Sequence, residues 1–159
     1  MIVNGLDYHV EVGSAGRPLL LLHGFMGSAD DWLPFQYEWM QDHLTIAPDF
    51  PGHGRTATPT DPARTHIEVV AADLLAICDE YARGRPVDLL GYSMGGSVAL
   101  AFALSNPQRV RSLMLESASP GLHSEEERAT RRADDEARAR LLELKGVETF
   151  VNAWEVLPL

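Results

Sequence analysis

Short apolar runs alternate along the chain with longer segments in which apolar residues recur at helical spacing. Four runs are almost continuously apolar, which is typical of strands buried on both faces of a parallel sheet. They are residues 18–22, 44–48, 87–90 and 110–115. Residues 8–12 alternate weakly and are typical of an edge strand. Strands that alternate with helices predict an α/β fold, with a mostly parallel sheet flanked by helices.

Helices are predicted between these strands. Apolar residues in segment 67–78 recur at i, i+3, i+4, i+7, i+8 and i+11, as in an amphipathic helix that packs one face against a sheet. Ser28 can cap a helix that runs to about residue 40, and another helix is predicted over residues 94–104. Residues 1–118 are therefore predicted to form an α/β core.

Charged residues replace the apolar runs in residues 119–159. Ser124 and Glu127 form an S-x-x-E capping box at the start of a charged helix. Gly146 is expected to end that helix, and a shorter one is predicted over residues 147–155. The sequence therefore predicts a second, helical unit after the core.

The charge balance of the 159 residues is acidic, with 13 Lys and Arg against 23 Asp and Glu and a formal net charge of −10. Binding to nucleic acid or to an anionic membrane needs a basic face, so neither is expected. Cys78 is the single cysteine, which excludes an internal disulfide, and the spacing of a zinc site is absent. No secretory signal or membrane-spanning run is visible, which predicts a cytoplasmic protein.

A candidate nucleophile lies in Gly91-Tyr92-Ser93-Met94-Gly95, a G-x-S-x-G pattern directly between a predicted strand and a predicted helix. Such a sharp turn needs small residues beside the serine, because a Cβ there would collide with neighbouring backbone. The turn raises the hydroxyl above the sheet edge, and the helix N-terminus favours negative charge there. Ser93 is therefore the candidate catalytic residue. The alternative is a glycine-rich turn that serves only helix packing.

A second glycine-rich loop, residues 23–27 (HGFMG), follows the first buried strand. When a nucleophile lies on a strand-to-helix turn, its oxyanion hole is formed by two backbone amides. One follows the nucleophile, and the other belongs to the loop after an earlier strand. Here those donors would be the backbone N–H groups of Met94 and Phe25. The His23 side chain is interpreted as a structural histidine that ties two loops together.

These two motifs, with residues 49–54 (DFPGHG) between them, resemble those of the α/β-hydrolase fold family. One branch is particularly similar, the menaquinone-pathway 2-succinyl-6-hydroxy-2,4-cyclohexadiene-1-carboxylate synthases. The closer match rests on residues 22–28 (LHGFMGS), 91–96 (GYSMGG), 119–122 (SPGL), 126–128 (EER), Arg131 and residues 150–154. The resemblance covers essentially the whole chain. It implies that residues 1–118 are the N-terminal part of the hydrolase core and residues 119–159 the start of its helical cap.

The resemblance implies an elimination rather than a hydrolysis. Enzymes of this branch are carbon–oxygen lyases that expel pyruvate from a cyclohexene tricarboxylate, with a triad-activated serine as base on a ring proton. By residue-wise match, Ser93 would be that base. Tyr92 and Trp154 would line the substrate pocket, and Arg131 would bind a substrate carboxylate. Bidentate guanidinium contacts suit a polyanionic substrate, although a solvated, salt-bridged helix is the alternative for this arginine.

Two departures from the branch leave other functions open. An arginine that the branch carries four residues after the serine is replaced here by Ser97, which keeps a serine carboxylesterase as an alternative. The fold orders its triad Ser…Asp/Glu…His, and the only histidine after Ser93 is His123, in the turn before the charged helix. Apart from His23, the histidines before Ser93 are interpreted as surface or loop residues, namely His9, His43, His53 and His66. No residue is assigned as the triad acid or base.

The missing triad partners and the apolar segment 154–159 predict that this chain is the N-terminal portion of an enzyme. A catalytically incomplete half-molecule that associates with a complementary chain is the alternative, since such a chain would supply the later strands. The expected ligand is a small carboxylate or ester. No metal or cofactor is predicted, because nucleotide-binding glycine patterns are absent.

Overall fold

The structure is a computed structural model in which residues 1–156 are described. The chain divides into two compact units, Met1–Pro120 and Gly121–Leu159. The first unit contains all the strands of the described residues, and the second contains one long, interrupted helix. None of the described helices is both long and apolar enough to cross a lipid bilayer.

The first unit is built around a mostly parallel sheet, as predicted. In chain order the strands of the described residues are β1 (Ile2–Val3), β2 (Leu6–Asp7), β3 (Val10–Gly13), β4 (Arg17–Leu22), β5 (His43–Pro48), β6 (Val87–Tyr92) and β7 (Val110–Glu116). The main sheet has the order β3-β5-β4-β6-β7. β4 is parallel to β5 and β6, and β7 is parallel to β6. The edge strand β3 runs antiparallel to β5.

Helices follow the strands at nearly the predicted positions. They are α1 (Leu33–Trp39), α2 (Ile67–Ala82), α3 (Met94–Ser105) and α4 (Glu125–Glu155). Ser28 caps its helix as expected, with its side chain accepting the N–H of Asp30 and its own N–H donated to Asp31. The first turn of that helix, Ala29–Trp32, is however a 3₁₀ turn that precedes α1.

The core lies on both faces of the sheet because side chains alternate along β4. Leu20 and Leu22 pack with α2 and α3 in one cluster, and Leu19 and Leu21 pack with Trp32 in another. These four leucines are at most 5% exposed. The prediction that a continuous apolar run marks a strand buried on both faces is therefore confirmed for β4.

For β7 the same prediction is wrong. Most residues of β7 are exposed, including Met114 at 43% and Leu115 at 44%. β7 is the last strand of the sheet order, so within the described residues it has a neighbour on one side alone. An apolar run indicates that a strand can be buried, but its actual burial depends on elements distant in the sequence.

The N-terminal hairpin of β1 and β2 is absent from the sequence prediction, although its turn carries a signal. Asn4 and Gly5 have φ values of 46° and 83°, which a two-residue hairpin turn requires and an Asn-Gly pair favours. The hairpin is tied to α2 by the buried Asp73, which accepts hydrogen bonds from Asn4 Nδ2 at 2.7 Å and Tyr8 OH at 2.8 Å. Arg64 Nη2 lies 2.6 Å from the same carboxylate and balances its charge.

The second unit begins and breaks where the sequence predicts. Ser124 Oγ accepts the N–H of Glu127, and the Glu127 carboxylate accepts the N–H of Ser124 at 2.9 Å, which completes the capping box. Gly146 interrupts α4 with φ 80° and ψ 170°. Since L-residues with side chains rarely adopt this conformation, the glycine divides the helix into two segments.

Candidate active site

The loops after β4 and β6 lie side by side at the carboxyl edge of the sheet. These strands are adjacent and parallel, and Leu22 at the end of β4 is paired with Gly91 near the end of β6. The chain runs from β4 to β5 on one side and then to β6 on the other, so the strand order reverses here. Ligand crevices in open α/β sheets form at such a reversal, outside the carboxyl ends of the strands. Both glycine-rich motifs therefore lie where this class of sheet binds ligands.

Ser93 occupies the turn between β6 and α3 in a strained conformation. Its φ of 53° and ψ of −114° cost a residue with a side chain about 1–3 kcal/mol. The backbone is held on both sides, because the Ser93 N–H donates to the carbonyl of Glu116 at 2.9 Å and its carbonyl accepts from the Gly96 N–H at 3.0 Å. Conformations of this kind persist where surrounding structure enforces them, and they cluster at functional sites.

The loop after β4 packs directly against this turn. A Cβ added to Gly95 would lie 2.3 Å from the carbonyl oxygen of Leu22, which is backbone that cannot easily move. A Cβ added to Gly24 would lie 2.8 Å from the ring of Tyr92 and 3.5 Å from Cβ of Ser93. Glycine is therefore required on both sides of the contact, and the predicted oxyanion loop and nucleophile turn form one packed site.

His23 is fully buried and joins the loops after β4 and β5. Its Nε2 lies 3.0 Å from the backbone N–H of Phe50, and its Nδ1 lies 2.7 Å from the carbonyl of Gly24. Because an amide N–H can only donate, Nε2 accepts, and the ring proton resides on Nδ1 and is donated to Gly24. The interpretation of His23 as a structural histidine that ties two loops together is confirmed.

The His23 ring also orients the amide of Phe25. The Gly24 carbonyl accepts both the His23 Nδ1–H and the N–H of Gly27, the latter at 3.1 Å. A peptide unit is planar, so fixing the Gly24 carbonyl fixes the opposite direction of the Phe25 N–H. The other expected donor, Met94, opens α3, where the first amides have no acceptor within the helix.

Asp49 is a buried acid of this region that the sequence prediction missed. Its Oδ1 accepts the N–H of Ala29 at 2.6 Å, and its Oδ2 accepts the N–H of Arg55 at 2.7 Å. A Cβ on Gly54 would lie 2.2 Å from that carboxylate, which explains the glycine. Asp49 thus joins the segment after β5 to the segment after the oxyanion loop. An acid directly after a buried strand and before a glycine-rich turn was the available signal.

We expect the unfolding free energy to fall as the pH is lowered below 6.5, in part through His23. Burial lowers the pKa of His23 from its ordinary value of 6.5, and the neighbouring His53 lowers it further. The unfolded chain therefore binds the proton first, so stability decreases from pH 6.5 down to the folded pKa. Asp31 and Asp49 act in the opposite direction, and hydrogen bonding to Gly24 also favours the charged ring.

Denaturant unfolding across this pH window measures the effect. The His23→Gln variant should be less stable at neutral pH and should show a smaller slope of unfolding free energy against pH. His66→Gln, at an exposed position, is the matched control and should keep the original slope. Equal slopes for all three proteins would contradict this assignment.

The predicted site residues are distributed over both units. Ser93, Met94, Phe25 and Tyr92 belong to Met1–Pro120, whereas Arg131 and Trp154 belong to α4. Within Met1–Pro120 none of the histidines hydrogen-bonds the Ser93 side chain, and each lies near the surface except His23. No group of three or more metal-ligating side chains occurs among the described residues.

Arg131 and Trp154 are linked through Asp135 and Arg138. Arg131 Nε lies 2.9 and 2.8 Å from the two carboxylate oxygens of Asp135. Arg138 Nη1 donates to the same carboxylate at 3.1 Å, and its guanidinium carbon lies 5.4 Å from the centre of the Trp154 ring. The Trp154 ring stacks on Phe150 at 5.9 Å. The spacing of three and four residues around Asp135 was the signal for these pairs.

Comparison with known proteins places these features in one family. A protein of Bacillus subtilis (strain 168), provisionally named 2-succinyl-6-hydroxy-2,4-cyclohexadiene-1-carboxylate synthase, is 38% identical over 160 residues. That match covers 99% of this chain and 58% of the relative. The solved structure of MenH from S. aureus superposes with a TM-score of 0.85 at 34% identity, covering 95% of this chain and 57% of that one.

A thermophilic esterase from Thermogutta terrifontis, solved with malate bound, superposes with a TM-score of 0.77 at 29% identity. The match covers 91% of this chain and 52% of the esterase. The chain thus spans between 52% and 58% of the length of these relatives. Since residues 17–151 match the family described as the alpha/beta hydrolase fold, and the turn that carries Ser93 lies within them, the chain belongs to the α/β-hydrolase fold family.

Proposed function

We propose that this chain forms part of a lyase that eliminates pyruvate from a cyclohexene tricarboxylate. The observation that carries the proposal is the strained Ser93 at the strand-to-helix turn of a chain 38% identical to a protein provisionally named as such a synthase. In this proposal residues 1–118 belong to the catalytic core and residues 119–159 begin its helical cap. The proposed setting is cytoplasmic.

The proposed chemistry begins with Ser93. Its Oγ removes a proton from a ring carbon, the electrons of that C–H bond form a ring double bond, and the bond between a neighbouring ring carbon and the oxygen of the leaving group breaks. That oxygen takes the electron pair and leaves as the enolate of pyruvate, which takes up a proton on carbon to become pyruvate. The N–H groups of Phe25 and Met94 stabilise the negative charge that develops in the transition state, where such donors contribute most. Tyr92 and Trp154 line the pocket, and Arg131 binds a substrate carboxylate.

The general base that activates Ser93 is proposed to come from polypeptide beyond residues 1–159, as is its acidic partner. In this fold the acid and the histidine follow the nucleophile in chain order. The relatives are longer than this chain, which spans 58% of the Bacillus subtilis protein. Either a longer chain or a complementary one would supply the two groups.

Carboxylester hydrolysis is the second candidate function. It is favoured by Ser97, which stands where the synthase branch carries an arginine, and by the structural similarity to the Thermogutta terrifontis esterase. The same serine would attack an ester carbonyl, and the same two amides would bind the oxyanion. The two functions therefore share a nucleophile turn and differ in the substrate charge that the protein recognises.

Replacing Arg131 by alanine should separate these functions. A hydrogen-bonded contact between arginine and carboxylate contributes about 1.5–3 kcal/mol, so kcat/KM for a cyclohexene tricarboxylate should fall roughly tenfold or more. Hydrolysis of a neutral ester should change little. Arg140→Ala is a suitable control, because Arg140 lies on the same helix and is 75% exposed. Equal losses on both substrates would mean that Arg131 has a structural role.

A further inference from the structure

The side chain of Arg131 is held by one edge alone. Its Nε makes both contacts with Asp135, at 2.9 and 2.8 Å. Among the described residues, its terminal Nη1 and Nη2 groups have no hydrogen-bond partner, and the side chain is 62% exposed. A guanidinium can engage carboxylates on two separate edges. The Nη1/Nη2 edge of Arg131 is therefore available to a second carboxylate while Asp135 keeps the first edge occupied.

The same Asp135 carboxylate holds Arg138, which lies against Trp154. Arg138 Nη1 donates to Asp135 Oδ1 at 3.1 Å, and the guanidinium carbon is 5.4 Å from the Trp154 ring centre. Within a straight helix, residues 138 and 154 would be separated by ~24 Å. The interruption of α4 at Gly146 is what brings the second segment back to the first. The Asp135 carboxylate thus holds both Arg131, whose Nη1/Nη2 edge is open, and Arg138, whose guanidinium lies over the Trp154 ring.

We propose that Asp135 is a positioning residue for substrate binding, which orients Arg131 directly and Trp154 through Arg138. This inference rests on the proposed function, in which Arg131 binds a carboxylate and Trp154 lines the pocket. A ring substrate that carries carboxylates needs both a charge and an apolar surface at a set separation. Preorganising the two groups before the substrate arrives reduces the entropy that is lost on binding.

Asp135 could instead compete with the substrate for Arg131, and that role predicts a change in KM of the opposite sign. If this acid only competed with the substrate for Arg131, removing its negative charge would strengthen the binding of a polyanion. If it positions the two groups, removing it weakens binding although the local charge becomes more favourable. The direction of the change in KM therefore decides between positioning and competition.

The test compares Asp135→Ala and Asp135→Asn with Glu136→Ala. Each variant is assayed with the polypeptide that supplies the triad acid and base. Glu136 is a matched control because it pairs with Arg140 on the same helix, at 3.9 Å and with both side chains largely exposed. We expect Asp135→Ala to raise KM for the tricarboxylate roughly threefold to fivefold, the scale of exposed charge pairs, with kcat nearly unchanged. Asp135→Asn should have a smaller effect because it keeps one acceptor, and Glu136→Ala should have none.

Two further measurements separate positioning from a general structural role. In an Arg131→Ala background, Asp135→Ala should raise KM by a smaller factor than it does alone, since only its effect on Trp154 through Arg138 remains. The Nε–H resonances of Arg131 and Arg138 in NMR spectra should both move in Asp135→Ala and stay in place in Glu136→Ala. A lower KM in Asp135→Ala, or full additivity with Arg131→Ala, would overturn the proposal. Absence of tricarboxylate turnover in the unaltered chain, when polypeptide with the later strands, an Asp and a His is supplied, would instead overturn the proposed function. Shifted arginine resonances would then show that Asp135 organises α4 without a substrate role.

Discussion

Replacing Ser93 by alanine, in the chain completed by a triad acid and base, is expected to abolish covalent labelling by a fluorophosphonate probe and to lower turnover roughly 10⁶-fold, the scale reached when a serine nucleophile is removed. Among the serines of the described residues, Ser93 is the one that combines the strand-to-helix turn, a positive φ of 53° and contact with the loop after β4. The adduct can be mapped by mass spectrometry in a preparation that turns over substrate. Labelling at another serine, or none in such a preparation, would show that the assignment is wrong.

Two controls make this experiment interpretable. Alanine keeps the Cβ atom of serine, so the strain at position 93 persists and the free energy of unfolding should stay close to its original value. Ser97→Ala, one turn further along α3, should keep both labelling and turnover. A loss of activity in Ser93→Ala without loss of stability then reports on the hydroxyl group itself.

The nucleophile turn could be predicted from the sequence because its determinants are local. Two glycines flank Ser93, a buried strand precedes it and a helix follows, so the letters alone indicate a sharp turn at the serine. The capping box at Ser124 and the helix break at Gly146 were predictable for the same reason. Each depends on residues within a few positions along the chain.

The features that the sequence did not predict depend on distant partners. Asp73 is buried within an amphipathic helix, and its partners Asn4 and Tyr8 lie 69 and 65 positions away. Asp49 likewise needs the amide of Ala29, 20 positions earlier. Even where an acid has a local signal, as Asp49 has in its place after a buried strand, the sequence does not show its donors. Those donors permit its burial, and only the fold brings them together.

The proposed substrate-binding residue Arg131 was assigned from the family resemblance, not from a local pattern. The resemblance assigned Arg131 to a substrate carboxylate, and the structure places it on an exposed helix face beside Asp135. Such a face is also what a solvated salt-bridged helix presents, and the effect of Arg131→Ala on charged and neutral substrates distinguishes the two roles. Because the Nη1/Nη2 edge of Arg131 is open to a carboxylate, replacing Arg131 should affect a tricarboxylate substrate and leave a neutral ester nearly unaffected.

The purified monomer of residues 1–159 is expected to show very low turnover of either candidate substrate. Within Met1–Pro120 none of the histidines hydrogen-bonds the Ser93 hydroxyl. A serine without a general base keeps its proton at neutral pH, so only binding and the oxyanion hole remain to accelerate the reaction. In serine hydrolases these contribute about 10³–10⁴-fold over water, several orders of magnitude below an intact triad.

The measurement is turnover by a monodisperse preparation of the 159-residue chain, with Ser93→Ala as the blank for contaminating activity. The proposed division of the triad is supported if the monomer's rate lies within about tenfold of that blank. It also requires the rate to rise when polypeptide with the later strands, an Asp and a His is supplied. Rates typical of a complete enzyme from the monomer alone would mean that the acid and base lie within this chain. His123 would then be the first histidine to replace, because it is the only one that follows Ser93 in the order that the fold requires.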